Sequence, residues 1–273
     1  MITALNKVAQ LARRRPPAMT PRIEFDPGAP AVVLSPHADD AVLSCWSVLD
    51  ASRRPVSVVT VCTALPPAGT EGRWDRITGA RDSRERMRER LDEDKAALRA
   101  IGREWCGLGF LDSQYRGPGE PLDASAVLHA LAAARPTLGG LYAPLGIGGH
   151  PDHIAARDVA VELARRGFPV SLYADLPYAI EFGWPRWVDG NGNGQPPCNL
   201  DAAAYWEQCL EALPWPAERL HARVIPLSGE CGERKLAALR IYDTQFDGLD
   251  VAPHDRLSNP LWRRYEVRWE LEQ

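Results

Sequence analysis

No apolar run in this 273-residue sequence approaches the roughly 18 residues that cross a bilayer, so no membrane partner is expected. Positive charge is also short. Lys and Arg total 32 against 36 Asp and Glu, a formal net charge of −4, which removes the electrostatic footprint of a nucleic-acid binder. Lysine is nearly missing, 3 residues beside 29 arginines, a bias that fits a GC-rich genome better than a binding function. The six cysteines (Cys45, Cys62, Cys106, Cys198, Cys209, Cys231) contain no C-x-x-C pair, so neither a disulfide framework nor a thiolate zinc site is indicated. The opening "MITALNKVAQLARRRPPAMT" carries its basic cluster after its mildly apolar part, the reverse of a secretory signal, and reads as a surface helix ended by Pro16 and Pro17. A cytoplasmic protein is the expectation.

The composition that remains, 45% hydrophobic and 25% charged, is that of a globular chain with a sizeable core. Strand-like and helical patterns alternate: "AVVLS", "DDAVLSCWSVLDASRR", "VSVVTVCT", the charged "DSRERMRERLDEDKAALRAIG", "EWCGLGFL", "DASAVLHALAAAR" with Asp123 as N-cap, "GGLYAP", "HIAARDVAVELARR", "PVSLYAD". This order predicts an α/β, Rossmann-like fold, a mostly parallel sheet with helices on both faces. One domain is expected over 1–273, with an N-terminal extension at 1–29 and a long loop insertion at 181–199. The charge run reads as a solvated helix face, and "YEVRWELE" as a final strand at a sheet edge.

Ligands of such sheets bind outside the carboxyl ends of the strands, and two polar clusters fall there. "SPHADD" sets His37, Asp39 and Asp40 directly after the first apolar strand, and "GGHPDH" sets His150, Asp152 and His153 at another strand end. In the first cluster alone, Asp39 or Asp40 as a helix cap is the competing reading. With residue 36 ending a strand and a helix following, His37 and Asp40 lie three apart and converge on one point. Two histidines and one carboxylate, His37, Asp40 and His153, make a three-ligand site with a fourth position for water, as catalytic zinc uses. Asp39 is then placed to take the water's proton, and His150 to face the substrate from the other side. Asp152 reads either as a hydrogen-bond partner of a histidine or as a helix cap. The set describes metal-assisted hydrolysis of an amide.

The pair "PHADD" and "HPDH" resembles the motifs of the LmbE-like, or PIG-L, N-acetyl-amino-sugar deacetylases, which normally read H-P-D-D and H-P-D-H. Arg90, Glu93, Ala97, Ile101 and Gly102 resemble that family's R-x-x-E-x-x-x-A-x-x-x-L-G helix, and "KLAALRIYDTQ" its late K-x-x-A-x-x-x-Y-x-[ST]-Q helix. The resemblance covers roughly residues 30 to 250. It implies a zinc ion, with ferrous iron as the alternative metal, and removal of an acyl group from an N-acylated amino sugar. It implies His37, Asp40 and His153 as ligands, Asp39 as general base, His150 as oxyanion stabiliser or acid, and Asp112 as a contact to sugar hydroxyls. Two positions depart. Ala38 replaces the usual proline, and Gly148 stands where some members carry a mobile tyrosine.

Arg73, Trp74, Trp184 and Trp187, on the loops 64–80 and 181–199, are the further candidates for substrate contact, since indole faces stack on sugars or aromatic aglycones. Their bulk points to a natural-product glycoside such as an aminoglycoside or glycopeptide intermediate. Trp206 reads as core. His129 reads as a partly buried structural histidine, and His221 and His254 have no partner nearby in sequence. Two other classes fit parts of the pattern: an Fe(II)/2-oxoglutarate oxygenase with Asp39 as the ligand between two histidines, and a non-catalytic carbohydrate-binding protein.

Overall fold

A computed structural model describes residues 22–51, 55–181, 183–190, 201–227, 229–250 and 255–272. The expected N-terminal helix, His254 and the whole of 191–199, with Cys198, lie outside the described residues.

Seven strands form the main sheet in the order β4-β3-β2-β6-β7-β9-β8. They are β2 (Ala31–Ser35), β3 (Val56–Cys62), β4 (Glu104–Phe110), β6 (Leu141–Pro144), β7 (Val170–Tyr173), β8 (Leu220–Pro226) and β9 (Tyr265–Leu271). A separate parallel pair joins β1 (Glu24–Phe25) to β5 (Thr137–Leu138). Strands β2, β3, β4, β6 and β7 run parallel, with β2 registered as Val33↔Val58 on one side and Val33↔Tyr142 on the other. All seven residues of β3 and four of five in β2 are buried, as expected where β-branched strands are covered on both faces. The core is the contiguous apolar packing of these strands with the helices, anchored by Trp46, Leu98, Leu131 and Tyr173.

The carboxyl-terminal pair is antiparallel: β9 pairs with β7 and with β8. The expectation that "YEVRWELE" forms an edge is therefore corrected, because β8 is the edge and β9 lies inside it. Strand β8 carries the edge chemistry, three consecutive exposed residues and a terminal Pro226.

The charged segment is a helix, Ser83–Ala100, started by Asp82, whose carboxylate accepts the Glu85 N–H at 2.7 Å. It is not a uniformly solvated face. Ser83, Met87, Arg90, Asp94, Ala97 and Leu98 form a buried stripe at helical spacing, with Arg90 and Asp94 at 3% and 1% exposure. Asp94 accepts from Thr60, Trp105 and Tyr242, which ties this helix to the sheet and to the late "RIYDTQ" segment. His129 is exposed rather than partly buried, its Nδ1 2.7 Å from the Ser125 carbonyl.

The chain runs from β2 outward through β3 to β4, then returns to β6 and continues to β7. The strand order thus reverses between β2 and β6. The crevice at that reversal is where open α/β sheets take their ligands, and both polar motifs emerge there.

Candidate active site

Strand β2 delivers Pro36 and His37, and the helix Asp40–Ser44 begins three residues later. Ser35 pins this turn, donating from Oγ to the His37 carbonyl (2.7 Å) and accepting the Ala41 N–H (3.1 Å). Gln245, 207 residues on, donates from Nε2 to the Ala38 carbonyl at 2.9 Å. Ala38 is fully buried, so the position where the resembling family has proline keeps its place through this contact. Strand β6 leads through Gly146–Gly149 to the helix Pro151–Arg165, whose N-cap is His150.

His37, Asp40 and His153 converge. Asp40 Oδ2 lies 3.3 Å from His37 Nδ1 and 3.3 Å from His153 Nε2, and also accepts the His37 N–H at 2.8 Å. Each imidazole is held from its far nitrogen by a second carboxylate. His37 Nε2 donates to Asp152 Oδ2 (3.1 Å) and His153 Nδ1 to Asp175 Oδ1 (2.6 Å). The near nitrogens, His37 Nδ1 and His153 Nε2, are both turned toward Asp40. His153 Nε2 is buried and has no hydrogen-bond partner, the 3.3 Å approach to Asp40 being misaligned for one.

Charge points the same way. Asp39, Asp40, Asp112, Asp152 and Asp175 are all buried, while the two guanidiniums paired with them are Arg90 on Asp112 and Arg116 on Asp152. Such an excess of buried carboxylates is tolerable only beside further positive charge. Burial opposes a charged His37, yet the carboxylates of Asp112, Asp152 and Asp40 outweigh it and hold its pKa well above the ordinary imidazole value. His153 is likewise pushed up to about 9, Asp40 and Asp175 prevailing over burial. Asp40 is held well below the carboxylate range despite its burial, chiefly by His153. The orphaned Nε2 and this donor set fit a divalent cation in place of those protons. His37, His150 and His153 also group their ring nitrogens within 4.8 Å of one another, so His150 lies in the same cluster.

Asp39 stands apart. Its carboxylate makes no hydrogen bond or ion pair among the described residues and lines a cavity of about 240 Å³. Burial, then the neighbouring Asp40 charge, raises its pKa to about 7. His150 Nδ1 accepts the Asp152 N–H (3.3 Å), so the ring proton sits on Nε2, which is 3.4 Å from Ser113 Oγ and faces the same cavity. Burial and the neighbouring His37 and His153 lower the His150 pKa to about 3 and keep it neutral. Asp152, left open between two roles in the sequence, is the partner of His37 and not a cap.

Asp112 and Trp74 line the cavity. Gln114 joins them, accepting the Trp74 N–H at 3.1 Å and donating Nε2 to Asp112 at 3.1 Å. Three other candidates are corrected. Arg73 is exposed at the start of the helix Arg73–Ile77 and is not part of the cavity wall. Trp184 is 3% exposed, donates to the Leu261 carbonyl, and packs on Trp206 and Tyr265. Trp187 is 45% exposed and packs edge-on against Trp206 and Trp269. Both belong to an aromatic cluster around Trp206, which is core as expected. Their periodicity-free loop resembled a binding loop because aromatic burial there depends on distant strands.

Several site residues carried no local signal. Asp175 follows β7, at the same rim as the two motifs, and a carboxylate at that strand end was the available sign. Tyr178 lines the cavity with its ring centroid 5.7 Å from that of His153 and 6.3 Å from that of His150. A Cβ at position 148 would lie 2.7 Å from the Tyr178 ring, so the glycine there, at φ +94°, makes room for a tyrosine from another loop. Arg256, on the segment after Asp255, also lines the cavity.

Residues 32–164 match the family described as GlcNAc-PI de-N-acetylase, PIG-L. Over 161 residues the chain is 33% identical to 2'-N-acetylparomamine deacetylase of Streptomyces fradiae, covering 54% of this chain and 57% of that protein. The chain thus spans a little over half the length of this curated relative. Among solved structures, a deacetylase of the teicoplanin biosynthetic pathway superimposes over 89% of this chain and 97% of its own, with TM-score 0.65 as a triple mutant and 0.62 in a zinc-inhibited form, at 26% identity. The A40926 pseudoaglycone deacetylase covers 91% of this chain and 97% of its own, with TM-score 0.62 and 26% identity. Both motifs, at 37–40 and 150–153, lie inside the span that matches the family. The parallel α/β sheet also removes the oxygenase reading, which rests on an antiparallel scaffold and on Asp39 as the ligand, whereas Asp40 is the carboxylate between the histidines.

Proposed function

We propose that this protein is a metal-dependent N-deacetylase acting on an acylated amino sugar within a natural-product glycoside, of the aminoglycoside or glycopeptide kind. The observation that carries this reading is the convergence of His37 Nδ1 and His153 Nε2 on Asp40 Oδ2, with Asp39 unpaired in the same cavity. The deacetylase relatives support the reaction, and the two-histidine, one-carboxylate donor set suits zinc.

His37, Asp40 and His153 would hold the metal, which when bound supplies Lewis acidity and lowers the pKa of water. Asp152 and Asp175 fix the two imidazoles with their near nitrogens toward Asp40. Asp39, raised to about 7, is poised near neutral pH to accept the proton of the attacking water and pass it to the leaving amine. His150 acts as a neutral donor. Its Nε2–H hydrogen-bonds the amide oxygen as negative charge develops there, because a ring held neutral and fixed by the Asp152 N–H presents that proton without titrating. Trp74 offers an apolar wall and Asp112 a polar one for the sugar.

A panel of N-acetylated amino sugars, free and conjugated, scored for amine release tests this reading. Highest kcat/KM on a conjugate is expected. Best turnover on free N-acetylglucosamine overturns the bulky-substrate assignment, and no amine from any member overturns the reaction.

A further inference from the structure

Most cationic side chains near the cavity are already matched. Arg90 is paired with Asp112, Lys235 with Glu266, and Arg263 with Glu233 and the Gly232 carbonyl. Arg256 is different. It is half-buried, lines the cavity beside Tyr178 and Leu249, and makes no hydrogen bond or ion pair among the described residues. Its Nε is buried without a hydrogen-bond partner, as are those of Arg90 and Arg263, but those two are paired through their other nitrogens and Arg256 is not. A guanidinium left in that condition loses hydration without recovering it, at a cost a ligand can remove.

The backbone on both sides of Arg256 is constrained. Asp255, immediately before it, is the one described non-glycine residue at positive φ (45°), a conformation that surrounding contacts must enforce. The chain is also tied down on the other side of Arg256. Asp250 Oδ1 accepts the N–H groups of both Leu257 (2.6 Å) and Ser258 (3.0 Å), clamping the segment. Arg256 also borders a second small cavity, lined by Leu43, Leu176 and Trp262 together with Lys235 and Arg263, whose charges are already paired.

We propose that Arg256 is a specificity residue that receives an anionic group, a carboxylate or phosphate, carried by the substrate. A planar guanidinium matches either group with two parallel hydrogen bonds. Sugar hydroxyls meet the guanidinium one hydrogen bond at a time, whereas an acidic substituent meets it with two charge-assisted ones and is the better complement. The substrate class is thereby narrowed from an acylated amino sugar to one bearing an acidic group, on the sugar or on what it is attached to. This narrowing rests on the deacetylase reading, while the anion site itself does not.

The test has a kinetic arm and a binding arm. Amine release is measured for the phenyl glycoside of N-acetylglucosamine, the same glycoside of its uronic acid, its sugar phosphate, and a carboxyphenyl glycoside of the neutral sugar. At least one acidic probe is expected to exceed the neutral one by about tenfold or more in kcat/KM. Which probe does so tells whether the anion sits on the sugar or the aglycone. The acidic-to-neutral ratio falls toward one in Arg256→Gln and is partly kept in Arg256→Lys. Separately, calorimetry compares phenyl glucuronide with phenyl glucoside, neither of which carries an acylamino group. Wild-type protein is expected to prefer the glucuronide, and Arg256→Gln to erase the preference, with unfolding midpoints checking that both variants fold. Glucuronide preference without amine release from any probe keeps the anion site and rejects the deacetylase reading. Amine release with equal rates and equal binding for acidic and neutral probes rejects the anion site alone. An acidic preference that survives Arg256→Gln also rejects it.

Discussion

Asp175 accepts the Nδ1 proton of His153 at 2.6 Å with one oxygen, and the N–H groups of Gly146 and Ile147 at 2.8 and 2.9 Å with the other. One buried carboxylate therefore fixes both the tautomer of a proposed ligand and the loop that carries it. Asp175→Asn turns an acceptor-only group into one that must place an NH2 against a donor. Metal affinity, measured by chelator competition, is expected to fall by about ten- to a hundredfold. An unchanged affinity contradicts the role assigned to this pair.

Asp39 is assigned to the proton and not to the metal. Asp39→Asn is expected to lower kcat by about 10²–10⁴-fold while metal content per chain stays at the wild-type value. Loss of metal together with activity contradicts the division of labour between Asp39 and Asp40.

The same residue sets a pH dependence. Burial and the Asp40 charge raise its pKa to about 7, so the base form is depleted as pH falls. A divalent cation beside it favours the ionised form and draws that transition lower. The profile of kcat/KM is expected to show an acid limb, activity rising with pH at or below about 7 with the slope of one proton. The absence of any acid limb over the whole pH range in which the protein stays folded contradicts Asp39 as the base.

Gly148 leaves room that the Tyr178 ring fills. Gly148→Ala both strains a backbone at φ +94° and drives a methyl into that ring. Displacing Tyr178 beside His150 is expected to lower kcat/KM by roughly ten- to a hundredfold, with circular dichroism showing the fold retained. Full activity contradicts the placement of Tyr178 in the working site.

Lys235 and Glu266 form a fully buried ion pair at 2.7 Å, and Glu266 also accepts the N–H groups of Trp46 and Ser47. Lys235→Met strands that carboxylate and is expected to cost about 3–5 kcal/mol in urea unfolding. A change below about 1 kcal/mol shows that the backbone donors alone suffice.

Much of this site was legible because its chemistry sits in two short motifs, each following an apolar strand. His37, Asp40 and His153 are three or fewer residues from predictable strand–helix junctions, so local pattern and sheet topology together bring them to one rim. The rest depends on contacts made across the fold. Gln245 reaches Ala38 from 207 residues away, and Asp175 is informative only once β7 is known to neighbour β6. The buried stripe through Arg90 and Asp94 was hidden by the charges on either side of it, since hydrophobic periodicity does not register a buried guanidinium or carboxylate. Trp184 and Trp187 misled for the converse reason. An aromatic loop without periodicity looks like a binding surface until β9 and the helix Ala202–Glu211 supply the partners it packs on.

The most direct measurement is amine release from an N-acetylated amino-sugar glycoside by protein stripped with chelator and then reloaded with zinc. Stripping is expected to abolish release, and zinc at about one equivalent per chain to restore it, with His153→Ala failing to recover. Undiminished release by the stripped protein, or none from the reloaded one, contradicts the account.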